Sequence, residues 1–190
     1  MEEHIKYVCD YFMKICGEAD LAERVSSVPK IVHFACGETI LEAGYRSNYI
    51  CLVISGLVRG FYIDEDGNDI TKCFSMEGDW CCSYNYLSKN PCPFYLEAAE
   101  DVVLAKFYIH ETEKLIREYP VLEEVIRKLL AKSMINSESR ILSFTSLEAR
   151  DRYLLLLKEE PELVKRARQE HIASYLGITP SSLSRIKRAI

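Results

Sequence analysis

The sequence predicts an α+β chain: N-terminal helices, an antiparallel β-roll (a double-stranded jelly roll), one long helix, and a C-terminal helix-turn-helix unit. Three observations predict it. Apolar residues recur at helical spacing as far as Pro29. From Lys30 to Phe107 the pattern changes to short β-rich runs separated by glycines. Beyond Ile109 it is helical again, and Gln169 to Arg188 carry the punctuation of two crossing helices. The segments are therefore 1–28, 29–107, 108–144 and 145–190.

In the first segment Ile5, Val8, Phe12 and Ile15 share one helical face, and Leu21 and Val25 continue it in a second short helix. The runs IVHF, TIL, YICLVI, LVRGFYI, ITKCF and VVLAKF follow, with Gly37, Gly44, Gly56, Asp66-Gly67 and Gly78 between them. Many short strands imply a sandwich, roll or barrel. Asp66-Gly67 predicts a two-residue hairpin of type I′, whose central residues both need positive φ. In the third segment Ile109–Arg117 reads as a short helix. Pro120 then opens a long one, running to about Phe144, in the first turn, where proline is tolerated. Leu122, Val125, Ile126, Leu129 and Leu130 form a band wide enough to pack on two sides, against the roll and against a second copy. Its second half, with Ser133, Asn136, Ser137 and Ser139, suits a solvated seam or a pocket wall. Ser146 is expected to cap a helix over Leu147–Glu159 that Pro161 stops.

The last two helices carry the most specific pattern. Ala173 is the small residue that a helix crossing needs, and Gly177 supplies a left-handed turn. Ile172, Leu176, Ile178, Leu183 and Ile186 fall where the crossing must be packed. Thr179 is an N-cap and Pro180 takes the first helical position. The second helix then presents Ser181, Ser182, Ser184, Arg185, Lys187 and Arg188. In a helix-turn-helix the N-terminal part of this helix enters the major groove, so Ser181 and Arg185 are the base-contacting candidates. Arg168, Gln169, Ser182, Lys187 and Arg188 are assigned to phosphates.

Charge supports this division. Residues 165–190 hold six basic side chains against Glu170, a net of +5, so within a total of −5 the preceding residues carry −10. An acidic body with a basic tip implies a polyanionic partner at the tip. No apolar run approaches the roughly 20 residues that span a bilayer, and MEEHIKYVCDYF lacks the order of a secretory signal, so no membrane partner and a cytoplasmic location are expected. The eight cysteines lie mostly in apolar runs without a C-x2-C pair and read as small reduced hydrophobes.

With roll, long helix and terminal helix-turn-helix in this order, the chain resembles the Crp/Fnr family of bacterial transcription factors from Pro29 to Ile190. The likeness is strongest in HIASYLGITPSSLSRIKR and in the glycine framework GETILEAG, VISGLVRGFYIDEDG and EGDW. The resemblance implies a cyclic-nucleotide-binding type of roll and a dimerising long helix. It also implies recognition of a two-fold-symmetric site on double-stranded DNA by a homodimer, with RNA polymerase as a further candidate partner and no enzymatic activity.

Departures from the family pattern shape the expectation. Members that bind cyclic AMP have a Gly-Glu pair after the Gly-Asp turn and an Arg-Ser or Arg-Thr further on. Here Gly78-Asp79-Trp80-Cys81 leads into Cys82-Ser83, the arginine position falls near Pro93-Phe94, and Lys89 is the one charge between Asp79 and Glu97. A buried phosphate without a paired cation is costly. An effector other than cyclic AMP is therefore expected, in a pocket formed by Cys82, Ser83, Glu97, Ser133 and Asn136, with no fixed cofactor and no metal. Pro180 and Ser181 stand where the best-known cyclic-AMP-dependent member has Arg and Glu, so the operator should differ. The β-wing usual in the family is expected to be short or absent.

Other readings stay open on the residues alone. Only Cys9 and Cys16 lie near the N-terminus, too few for the iron–sulfur centre of oxygen-sensing relatives. Cys81-Cys82 leaves room for a redox- or metal-responsive regulator of the same fold. A jelly-roll enzyme or small-molecule-binding protein would need converging histidines, and His4, His33, His110 and His171 are scattered.

Overall fold

The structure, a computed structural model, describes residues 2–190 apart from the Asn85 side chain. Helices α1 (Glu2–Cys16) and α2 (Ala19–Ser26) come first, and their apolar faces bury Val8, Phe12, Leu21, Ala22 and Val25. Glu2 and Glu3 in the first turn of α1 and Lys14 in its last complement the helix dipole.

Eight strands follow: β1 (Lys30–Phe34), β2 (Thr39–Leu41), β3 (Tyr49–Ser55), β4 (Val58–Ile63), β5 (Asp69–Ser75), β6 (Trp80–Cys81), β7 (Tyr95–Ala98) and β8 (Val102–Tyr108). They form two antiparallel sheets, ordered β1-β8-β3-β6 and β2-β7-β4-β5, as a roll requires. The short helix α3 (Tyr84–Ser88) follows β6. Strand β3 is buried on both faces. Cys51 and Val53 point between the sheets, toward Val58, Leu96 and Leu104, while Ile50, Leu52 and Ile54 meet α1 and α2.

The connection from β4 to β5 differs from the two-residue hairpin expected. Residues 64–68 form it, and among them only Gly67 has positive φ. Asp64 is the reason: its carboxylate accepts from the N–H groups of Asp66 and Asn68 at 3.0 and 2.8 Å, so a carboxylate rather than a type I′ turn closes the loop.

Helices α4 (Ile109–Glu118) and α5 (Val121–Ser146) lead away from the roll. α6 (Ala149–Glu159), α7 (Pro161–Arg166), α8 (Gln169–Tyr175) and α9 (Pro180–Arg188) then form the C-terminal domain. Two expectations are corrected here. Ser146 ends α5 instead of capping α6, because its hydroxyl donates back to the Leu142 carbonyl at 2.6 Å. The apolar band of α5 is also displaced. Leu122 is buried with α1, α2 and Phe107 and Val125 is buried too, whereas the unpartnered apolar face lies in the half read as small and polar. Met134, Ile135, Ile141 and Leu142 there are 67%, 63%, 59% and 64% exposed. Met134 and Ile141, like Ile135 and Leu142, are one heptad apart and share a face; the intervening serines mask that spacing in sequence.

Candidate nucleic-acid interface

The C-terminal domain has its own core of Tyr153, Leu156, Leu163, Val164, Ala167, Ile172, Ala173, Leu176 and Leu183, joined by Leu57 of the roll. Ala173 is fully buried at the crossing of α8 and α9. Gly177 turns the chain at φ +68°; a Cβ there would meet the Phe144 ring at 2.8 Å, so both conformation and space call for glycine. Thr179 caps α9, accepting from the Ser182 N–H at 3.2 Å, and Pro180 opens the helix.

Burying Leu183 turns the opposite side of α9 outward. Ser181, Ser184, Arg185, Lys187 and Arg188 are exposed, as are Arg168, Gln169 and Thr179, so the structure brings the sequence-predicted residues onto one end of the molecule. Lys187 Nζ donates to Gln169 Oε1 at 2.8 Å, tying the end of α9 to the start of α8. Ser182 is half-buried, and its amide and hydroxyl are engaged with Thr179, which makes it part of the cap. Arg185 keeps its guanidinium on the surface, with a long 3.5 Å contact to the Ser181 carbonyl.

Two buttresses hold this surface. From α5, Arg140 lies over the Tyr175 ring at 3.8 Å and donates to its carbonyl at 2.9 Å; from α6, Arg152 donates to the Leu176 carbonyl. The roll supplies the second buttress, which sequence reasoning missed. α8 lies against the outer face of the second sheet, where Ser174 Oγ accepts from the Thr71 N–H at 2.8 Å. Arg166 reaches across with a two-pronged contact to Glu77 at 2.8 and 2.9 Å and a second to Glu100. The Arg166 guanidinium holds the Glu77 carboxyl below its usual range. Beneath α8, Arg59 is 2% exposed and pairs with Asp69, Glu97 and Thr71. Arg59, Asp69, Glu97, Arg168 and His171 line a cavity of about 240 Å³ between the domains. Burial pushes the His171 imidazole down, and Arg59 adds to this; its Nδ1 is buried without a hydrogen-bond partner among the described residues. Arg59 and Arg166 were hidden in sequence because nothing local marks a cation whose partners are up to 89 residues away.

The expected effector pocket is not assembled. Glu97 belongs to the Arg59 network, Cys82 is buried between the sheets, and Ser133 and Asn136 are exposed on α5. Neither this cavity nor a second one, lined by Ile40–Glu42, Tyr45–Ser47 and Tyr49, includes Cys82, Ser83, Ser133 or Asn136. The physical reason is packing: apolar and thiol side chains fill the space between the sheets and seal Cys82 from α5. Lys89, the one cation of that region, is exposed, and the buried cation of the roll is Arg59, already paired with two carboxylates.

The architecture is thus an antiparallel roll joined by a long helix to a helix-turn-helix. Residues 31–119 match the cyclic nucleotide-binding domain family. The chain is 22% identical over 163 residues to the anaerobic regulatory protein of Haemophilus influenzae, covering 78% of this chain and 62% of that protein. It is 21% identical to the fumarate and nitrate reduction regulatory protein of Salmonella typhi, covering 79% and 64%. The chain thus spans a little over three-fifths of the length of these relatives. The fold is shared with FixK2 of Bradyrhizobium japonicum (TM-score 0.75, 20% identity, 85% of this chain and 84% of that one). It is also shared with the regulator CLP of Xanthomonas campestris (TM-score 0.73, 16% identity, 90% and 91%). In domain order, fold and sequence relatives the chain is similar to regulators of the Crp/Fnr family.

Proposed function

We propose that this protein is a homodimeric, sequence-specific DNA-binding transcriptional regulator whose roll answers to an effector other than cyclic AMP. One observation carries the reading: α9 buries Leu183 in a packed crossing and turns Ser181, Arg185, Lys187 and Arg188 to solvent on a chain that is otherwise acidic. Ser181 and Arg185 read base edges, arginine being able to hold guanine O6 and N7 together, while Arg168, Gln169, Lys187 and Arg188 engage phosphates.

The open face of Met134, Ile135, Ile141 and Leu142 supports pairing of two α5 helices, which sets two recognition helices on successive major grooves about 34 Å apart. Effector control then acts through the contacts between roll and DNA-binding domain. A ligand shifts that equilibrium only by its differential affinity for the two arrangements. Promoter-bound RNA polymerase is the further partner such a regulator would meet, and the cytoplasm the compartment in which its cysteines stay reduced.

The test is selection from a random double-stranded DNA library at two salt concentrations, with sequencing of the bound pool. The expected result is a two-fold-symmetric motif with half-sites about one helical turn apart. Retention lost steeply with salt and without an enriched motif would remove the sequence-specific reading; no retention at low salt would remove the DNA reading altogether.

A further inference from the structure

Three cysteines meet inside the roll. Cys51 on β3 stands directly opposite Cys81 on β6, so their side chains share the face between the sheets. Cys82, next in sequence, would point the other way if the strand continued. Instead its backbone is left-handed, φ +59°, a conformation that residues with a Cβ avoid, and this turns its side chain back to the same side. The Ser47 hydroxyl donates to the Cys82 carbonyl at 3.2 Å. As a result the three sulfurs lie within 4.8 Å of one another, all buried and none in a disulfide.

We propose that Cys51, Cys81 and Cys82 form a three-thiolate site for one soft, thiophilic divalent cation. A planar site with metal–sulfur bonds of about 2.3 Å needs sulfurs about 4 Å apart, which this cluster reaches with small adjustments. Binding breaks three S–H bonds, forms three sulfur–metal bonds, and releases three protons to solvent without change of oxidation state. The product carries one negative charge. Lys106, directly opposite Cys51 across β3 and β8, supplies a cation on the neighbouring strand to offset it. Soft, largely apolar surroundings, with Val53, Phe94 and Leu104 in the same core, select against hard cations that keep their water.

The cluster is also placed to be felt elsewhere. The segment entering it holds Gly78 and Asp79 by backbone hydrogen bonds to Val53 at 2.9 Å. Asp79 faces Lys132 of α5 at 3.7 Å, and Glu77 is the partner of Arg166 in the DNA-binding domain. Drawing Cys81 and Cys82 toward Cys51 therefore loads both the long helix and the domain contact. This regulatory part rests on the DNA-binding reading above; the ion site itself does not.

The experiment titrates the reduced full chain anaerobically with cadmium chloride. It follows ultraviolet thiolate-to-metal charge transfer, proton release, and affinity against a competing chelator. One tight equivalent with three protons released is expected. Cys51→Ser should weaken it at least 100-fold, and Cys36→Ser, at an exposed thiol outside the cluster, should leave it unchanged. Cys82→Gly guards against misfolding, since glycine accepts φ +59°; it should keep the native circular dichroism and lose the tight site. Unchanged cadmium affinity in folded Cys82→Gly, or no charge-transfer band in the wild type, overturns the site. Cadmium binding at the cluster with unaltered DNA affinity overturns the regulatory link and leaves the site standing. Absence of any DNA binding, with or without cadmium, sinks the function proposed above and not this site.

Discussion

Ile141 offers a quantitative test of the dimer. It is 59% exposed on the open face of α5, and that exposed fraction is what a second copy would cover. Ile141→Ala removes the equivalent of three methylenes at about 0.8 kcal/mol each, about 2.4 kcal/mol for complete coverage. Scaled by the exposed fraction, the loss is about 1.4 kcal/mol per copy. A two-fold interface counts each substitution twice, so the dimer loses about 3 kcal/mol, about 100-fold in dissociation constant. Alanine is a better helix former than isoleucine, so the isolated helix is not weakened. Sedimentation velocity over a dilution series reads the constant directly, with Asn136→Ala, exposed on the far side of α5 from that face, as the control. Weakening below about fivefold, or equal to that of the control, would refute the assignment of this face to a dimer seam.

Three further outcomes are expected. Gly177→Ala should cost about 1–2 kcal/mol from left-handed strain, with a further small loss as the half-exposed Phe144 ring gives way, lowering Tm by a few degrees. Calorimetry of the single variant and of Gly177→Ala with Phe144→Ala separates the two, since only the clash is relieved in the double variant; a neutral Gly177→Ala would contradict the turn. Arg185→Ala should lose about 1–3 kcal/mol on the selected DNA site and far less on unrelated DNA, whereas Lys187→Ala should weaken both alike and lower the salt slope by about 1. Equal weakening of both DNAs by Arg185→Ala would reassign that residue to the backbone. Finally, the Glu77 carboxyl is held low chiefly by hydrogen bonds from Arg166, so the stability it contributes is complete above its ordinary value of 4.5 and is lost as the pH falls through the lowered one. Hydrogen exchange of α8 amides on acidification should show the domain contact opening at higher pH in Arg166→Ala than in the wild type; identical profiles would show that this pair does not hold the domains together.

How much was legible in the chain follows from how local each feature is. The helix-turn-helix is a local device. Thr179, Pro180 and Gly177 set dihedrals and caps within a few residues, and Ala173 and Leu183 pack within one crossing, so spacing revealed the motif and most of its exposed surface. The roll was legible as a class for the same reason: strand period and glycine turns are short-range, and the order of helices, strands and helices follows from them. Detail failed where a side chain overrode a local rule. Asp64 replaced a type I′ turn with a carboxylate-closed loop, and Ser146 bonded backward to end a helix instead of starting one.

What only the tertiary structure decided is what depends on residues distant in sequence. The pairing of β3 with β6 set Cys51 against Cys81, and the left-handed backbone of Cys82 completed the cluster; the adjacent pair was visible in sequence, the third member was not. Closing the two sheets over that cluster filled the space assigned to an effector and left Ser133 and Asn136 outside. The placement of α8 on the second sheet put Arg166 between Glu77 and Glu100 and buried Arg59 beneath His171. Sequence spacing specifies dihedrals, caps and faces because these are settled within a turn or a strand; charge pairing, thiol convergence and cavity filling wait for chain closure over tens of residues.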